Sequence, residues 1–395
     1  MIKKVLVFNY NGWNQIIASL VEGLKFNKQL ELFSTTMANY GQDILIKSEK
    51  EYSVTKSYNA SDGDDDSPSL YTASAVIDAP AYIEECQELM NWSDLIIMFD
   101  DNGTETSAHF YSFWSGVSGS EQVQAGLIAA LYEYALHYYK EKIAMINPGD
   151  FSGSDKMYGS YFGASPDYYK VYFKREKDLE LEWADNVEPI PFSAEERYFA
   201  SGKNFEKIWN NKDLNLSCLF RHGGHAHGPV GREEIKKAIN EKYYDDPKCV
   251  TKNVFGRSYD DGIDKKIEGK EIGEAVRHHH KYFDVLSKSK INIEGLPGNT
   301  AFYTGRMMES LANGCCYFYP TPTYNVDFPN GLIDGEDFII YHSTEDLINK
   351  IEYYLSHEEE MKAIAENGFN KLLKYHTSEV RAKEFISTCE RYMND

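Results

Sequence analysis

The sequence predicts an α/β chain built from two tandem doubly wound domains. Three observations carry that expectation. Short continuous apolar runs read as strands buried on both faces, apolar residues at helical spacing follow them, and glycine-containing turns join the two. The pattern occurs twice within 395 residues, a length that suits two domains.

The first run, Lys4-Val5-Leu6-Val7-Phe8-Asn9, ends in Asn11-Gly12-Trp13-Asn14. Ile16, Ile17, Leu20, Val21 and Leu24 then mark one face of a helix. Residues 30–33 form a second strand. Residues 41–80 show no clear period, and Asp62-Gly63-Asp64-Asp65-Asp66-Ser67-Pro68 reads as an acidic loop without the spacing or terminal Glu of a calcium loop. A helix over 81–91 leads into a strand over 94–99, which ends in Asp100-Asp101-Asn102-Gly103. A helix over 121–140 then leads into a strand over 143–146.

The second cycle opens after the extended Pro189-Ile190-Pro191-Phe192. A strand over 214–220 runs into Arg221-His222-Gly223-Gly224, and a helix over 232–240 follows. A strand over 290–293 leads through Glu294-Gly295-Leu296-Pro297-Gly298-Asn299 to a helix over 300–312, closed by Asn313-Gly314. Strands over 315–319 and 337–341 come next. Ser343 then caps a helix with Glu345 and Asp346 in its first turn, and helices continue to the end. The expected division is a first domain over 1–195, a second over 196–375, and a C-terminal helix over 376–395 that returns to the first.

Composition narrows the function. Lys+Arg 41 against Asp+Glu 62 leaves a net charge of −21, which argues against nucleic acid or an anionic membrane as the main partner. No run approaches the ~20 apolar residues that span a bilayer. The six cysteines are scattered, so neither a disulfide framework nor a zinc ribbon is expected, and the chain reads as cytoplasmic and reduced. The 30 tyrosines suit sugar stacking, but a general bias toward Lys, Asn, Ile and Tyr accounts for them more simply.

In open α/β sheets ligands bind beyond the carboxyl ends of the strands. Gly295 and Gly298 permit close backbone approach, and free N–H groups at the start of the following helix favour a diphosphate. Glu294, Gly298, Asn299 and Thr300 are therefore donor-side candidates. Arg306 and Glu309, three apart, share a helix face: an Arg beside a diphosphate with a Glu accepting from ribose hydroxyls, or a surface ion pair of about 0.3 kcal/mol. No GxGxxG fingerprint or Walker A loop is present, which argues against a dehydrogenase or an NTPase. Arg221, at the end of the first strand of the second domain, suits a leaving phosphate. His222, His225 and His227 match no zinc spacing, so no metal is expected, and His278-His279-His280 reads as an exposed helix segment. On the first domain, Gly12 admits an acceptor and Trp13 either stacks on a sugar or packs. Asp100, Asp101 and His109 follow a central strand, and Asp101 and His109 are candidates for a general base.

The C-terminal third carries a resemblance. Tyr282-Phe283-Asp284-Val285-Leu286, Ser289-Lys290-Ile291-Asn292-Ile293 and Arg306-Met307-Met308-Glu309-Ser310-Leu311-Ala312-Asn313-Gly314-Cys315 resemble the donor half of GT-B glycosyltransferases, most of all the CgeB-like group. Gly331-Leu332-Ile333-Asp334-Gly335-Glu336-Asp337-Phe338, His376-Thr377 and Arg381 continue it. Tyr172-Phe173-Lys174-Arg175-Glu176 and Pro189-Ile190-Pro191-Phe192 are similar to the segment before that family's linker.

The resemblance implies two Rossmann-like domains facing across a cleft, with a nucleotide-diphosphate sugar held by the second and a hydroxyl acceptor by the first. It also implies no metal, because cationic groups and a helix N-terminus stabilise the departing diphosphate. Carried over by position, Glu309 holds the ribose, and Arg306 and Arg221 lie near the diphosphate. The E-x7-E pattern of retaining members is broken, since Ala301 stands eight residues before Glu309. A nucleotide-sugar epimerase or hydrolase of the same fold and a non-catalytic two-lobed binding protein are the alternatives, and a transferase acting on modified DNA bases is disfavoured by the charge.

Overall fold

The computed structural model describes residues 1–8, 15–34, 56–57, 72–73, 79–99, 131, 133–147, 166, 169–175, 177, 179–220, 230–243, 245–251, 279–295, 304–322 and 330–394. They fall into two compact units. The described residues up to Pro191, joined by the helix that starts at Ser378, form the first, and Phe192–Thr377 forms the second.

In the first unit β1 (Lys4–Phe8), α1 (Gln15–Phe26), β2 (Glu31–Ser34), β3 (Lys56–Ser57), β4 (Thr72–Ala73), α2 (Ala79–Trp92), β5 (Leu95–Phe99), β6 (Ile143–Asn147), β7 (Val171–Lys174) and β8 (Val187–Pro189) follow in order. Six strands form one parallel sheet in the order β2-β1-β5-β6-β7-β8, and β3 and β4 pair antiparallel. Val5, Leu6, Val7 and Phe8 are all buried, as are all five residues of β5 and of β6, because helices cover both faces of a parallel sheet. Cys86, Leu89 and Met90 of α2, with Leu131, Ala135 and Leu136, pack on Leu6, Phe8, Ile96, Met98 and Met145. Residues 131 and 133–139 are helical and the chain tightens into a 3-10 turn at Lys140–Lys142, so the helix ends just before 140. Residues 121–130 and the acidic loop 62–68 lie outside the described residues.

In the second unit α3 (Phe205–Trp209), β9 (Leu214–Cys218), α4 (Arg232–Tyr243), β10 (Cys249–Thr251), α5 (His279–Lys288), β11 (Ser289–Ile293), α6 (Gly305–Ala312), β12 (Cys316–Pro320), β13 (Ile339–Tyr341), α7 (Thr344–Ser356) and α8 (Glu358–Tyr375) follow. Its five strands run parallel in the order β10-β9-β11-β12-β13. Ser343 caps α7, its hydroxyl accepting the Asp346 N–H at 3.0 Å. The last helix, α9 (Ser378–Asn394), belongs to the first unit and lies against α1.

Each unit is therefore a Rossmann-like α/β layer structure. At Gly23 the backbones of α1 and α9 come close: a Cβ there would stand 1.9 Å from the Ser378 carbonyl oxygen and 2.8 Å from the Ala382 Cβ. Two backbones cannot separate locally without losing the packing around them. Gly23→Ala is expected to lower stability by about 3 kcal/mol, read as a fall in the urea midpoint. An unchanged midpoint would show that the two helices part at no cost.

Candidate functional site

The crevice of an open parallel sheet opens at its carboxyl edge, where successive connections leave in opposite directions. In the second sheet that point lies between β9 and β11. From β9 the chain moves outward to β10, and from β11 it moves the other way to β12. In the first sheet the same reversal falls between β1 and β5.

The helix after β11 begins at Gly305, five residues later than the expected start at 300. Thr304 is extended, with φ −75° and ψ 159°, and its hydroxyl accepts the Met307 N–H at 3.2 Å. That cap sets the start, so Thr304 opens the helix. The other end closes as the sequence suggests, with Gly314 at φ +64°. It is pinned further by the buried Lys212 ammonium, which donates to the carbonyls of Ser289 (2.7 Å) and Asn313 (2.9 Å), and by Asn313, whose Nδ2 donates to the Tyr198 carbonyl at 2.8 Å. Burial pulls the Lys212 amine below its usual range, with Cys315 pulling the other way. A helix held at both ends presents Arg306 in its first turn and Glu309 one turn later.

Glu294 follows β11 and its side chain is wholly buried. Its carboxylate accepts from the Gly295 N–H at 2.8 Å, the Thr304 hydroxyl at 2.9 Å, the Tyr317 hydroxyl at 2.8 Å and Arg306 Nε at 3.0 Å. Tyr341 donates to the Glu294 backbone carbonyl. All of these bonds turn the carboxylate inward, so it orients Arg306. The i,i+3 neighbour Glu309 is not the hydrogen-bond partner of Arg306; Glu294, from the strand-end loop, is. The Arg306 side chain is 26% exposed, and neither terminal Nη group has a hydrogen-bond partner among the described residues. Burial opposes its charge most strongly of any one cause, but Glu294, Tyr282 and Tyr317 together hold the guanidinium above its usual range. A fixed, permanently charged fork with open donors is what an anionic oxygen cluster requires.

Two further cations stand at this edge. Arg232 opens α4, its Nε donating to the Gly295 carbonyl at 2.6 Å, and Lys236 lies one turn later. Both approach the Phe220 ring, at 5.7 and 5.6 Å from its centroid. A Cβ on Gly295 would sit 2.6 Å from that ring and 2.9 Å from the Arg232 Cγ, so this glycine makes room for protein side chains. Burial pushes the Cys218 thiol up to about 12, while Lys236, Arg306 and Arg232 pull it down and Glu294 adds to the rise. Three cations and one carboxylate of the described residues thus act at the end of β9, in a chain whose net charge is −21.

Glu309 is 6% exposed and accepts from the Tyr282 hydroxyl at 2.8 Å. Burial raises its carboxyl above the usual range, Tyr282, Arg306 and Arg197 pull it back, and Glu195 adds to the rise.

Gly12, Trp13, Asp100, Asp101, His109, Arg221, Gly298, Asn299 and Thr300 lie outside the described residues, as do His222, His225 and His227. In sequence, Gly12 and Trp13 follow β1, Asp100 and Asp101 follow β5, Arg221 follows β9 and Gly298 follows β11, and these are the four strands that flank the two reversal points. Among the described residues, no group of three or more His, Cys, Asp or Glu side chains is arranged to hold a metal ion, and no helix is long and apolar enough to cross a membrane. Sequence reasoning missed Arg232 and Lys236. The signal was there, a basic residue opening the helix after a strand-end loop with a second one turn on.

Residues 232–387 match the family model described as glycosyl transferase-like. No curated protein matches the sequence. Among solved structures, a glycosyltransferase from Rickettsia africae superposes with a TM-score of 0.58 at 10% identity, covering 100% of this chain and 99% of that one. Anabaena HepE, in complex with UDP and glucose, superposes with a TM-score of 0.53 at 9% identity, covering 99% and 100%. A putative UDP-N-acetylglucosamine 2-epimerase from Listeria monocytogenes superposes at 0.48 and 11% identity, covering 99% and 97%. The fold is the GT-B architecture of glycosyltransferases, with two Rossmann-like units in one chain.

Proposed function

We propose that this chain is a glycosyltransferase that moves a sugar from a nucleoside-diphosphate donor to a hydroxyl of a glycan or other acceptor, without a metal. The observation that carries the reading is Arg306. Glu294 fixes it at the reversal point of the second sheet, with open Nη groups beside Arg232 and Lys236. When the bond from the sugar to the diphosphate breaks, negative charge grows on the leaving oxygen. Guanidinium groups already oriented there, with the N-terminus of α6, stabilise that charge without reorganising. Glu309 accepts from the ribose diol, and Arg221, Gly298, Asn299 and Thr300 complete the donor side. HepE, which shares the fold, is solved with UDP and glucose, and this supports a nucleotide donor here.

The acceptor belongs to the first unit, where Gly12, Trp13 and Asp100 follow the strands at its reversal point. Asp101 or His109 takes the proton from the attacking hydroxyl. With Ala301 in place of the first glutamate of the retaining pattern, a base of this kind suits inversion. Calorimetric titration with UDP-, GDP- and ADP-sugars tests the reading. Binding of at least one, with slow donor hydrolysis when no acceptor is present, is expected. No binding by any of the three, or conversion of the donor to an epimer, would overturn it.

A further inference from the structure

Two parts of the structure aim Arg306. Glu294 holds its side chain and α6 holds its backbone, so the place of α6 against the sheet sets where the guanidinium points. The buried apolar residues of α6 are Met307, Met308, Leu311 and Ala312. Unbranched thioether side chains repack easily, so such a face by itself tolerates small shifts and rotations of the helix. A buried chain of hydrogen bonds removes that freedom. Ser217 of β9 and Asn292 of β11 are partners in register. The Ser217 hydroxyl donates to Asn292 Oδ1 at 2.9 Å, with the Ile291 carbonyl farther off at 3.4 Å. Asn292 Nδ2 donates to Ser310 Oγ at 2.7 Å, and the Ser310 hydroxyl donates to the Arg306 backbone carbonyl at 2.6 Å. All three residues are buried. The chain has a single sense. A carbonyl only accepts, so the Ser310 proton is committed to Arg306 and the Ser310 oxygen takes its donor from the amide NH2 of Asn292; the amide oxygen then faces Ser217.

We propose that Ser217, Asn292 and Ser310 are positioning residues that fix the register of α6 on the second sheet, and through it the aim of Arg306 at the donor diphosphate. The inference rests on the donor reading of Arg306. A buried polar tie within an apolar contact selects one packing among several of similar energy. This tie ends on the backbone of the residue whose side chain is to meet phosphate. Such a contact tolerates little displacement, since misplacing a positioned group by about 1 Å can cost about 100-fold.

The test is a double-mutant cycle read as calorimetric affinity for UDP and for uridine, or for GDP or ADP and its nucleoside if one of those is the nucleotide bound. Ser310→Ala and Asn292→Leu are each made in wild type and in Arg306→Gln. In wild type each is expected to weaken UDP about tenfold and uridine little. In Arg306→Gln, where the guanidinium to be aimed is gone, the same changes are expected to cost less than about twofold. A role in stability alone would give equal losses in both backgrounds. Ser217→Ala, two links away from α6, is expected to give a smaller loss of the same kind. Ser310→Ala covers the case in which Asn292→Leu folds poorly. Losses that are equal in both backgrounds, that fall on uridine as strongly as on UDP, or that are absent while Arg306→Gln itself binds weakly, overturn the inference alone. Wild-type protein that binds no nucleotide, or Arg306→Gln that binds UDP as tightly as wild type, overturns the donor reading of Arg306 and the inference with it.

Discussion

Replacing Glu294 with alanine is expected to cost the protein about 3–5 kcal/mol, the range for breaking a buried ion pair from one side. The loss has identifiable parts. The Arg306 guanidinium keeps its charge and loses the carboxylate that holds it, while the hydroxyls of Thr304 and Tyr317 and the Gly295 N–H lose their acceptor in a buried site. Each unsatisfied neutral donor alone costs about 1–3 kcal/mol. Glu294→Gln keeps an acceptor for the hydroxyls but sets its own amide against a donor and removes the ion pair, so an intermediate loss is expected. Urea denaturation of the full chain measures both. A midpoint within error of wild type for the alanine variant would show that Glu294 does not organise this edge.

The second large effect is on binding. Arg306→Gln is expected to weaken UDP about 100-fold while changing the affinity for uridine little, since a charge-assisted bidentate contact to phosphate is lost and the nucleoside contacts remain. The glutamine amide can still donate to Glu294, so the melting temperature should fall far less than in Glu294→Ala. Affinity of the wild type should also drop with added salt more steeply than that of the variant. Equal affinity of variant and wild type for UDP would remove Arg306 from the donor site and with it the main support for the proposed transfer reaction.

Much of the fold was legible in the sequence because its signals are local. The runs at β1, β5 and β6 are apolar throughout, as strands covered on both faces must be. Ser343 and Gly314 mark helix ends by chemistry that reaches only a few residues. The strands β7, β8 and β10 escaped notice because each spans only three or four residues, too few for a period to show, and β7 ends in Lys174. The Lys174 ammonium is nevertheless buried, donating to Asn147 Oδ1 at 3.0 Å, so its place depends on the neighbouring strand. The start of α6 was misplaced because Pro297-Gly298-Asn299-Thr300 looks like a helix entry, while the working cap is a second threonine four residues later.

The candidate site divides in the same way. Arg306 and Glu309 were readable as a pair on one helix face, but their partners were not. Arg306 is held by Glu294, Glu309 by Tyr282, and Arg232 and Lys236 arrive from the helix after a different strand. By itself the sequence determined the alternation of strands and helices, the two α/β cycles and the helix that presents Arg306, because periodicity and capping act over a few residues. Only the tertiary structure decided strand order, and so where each sheet reverses and which charges meet there. Those contacts join residues far apart along the chain, and no local pattern encodes which strand a strand will lie beside.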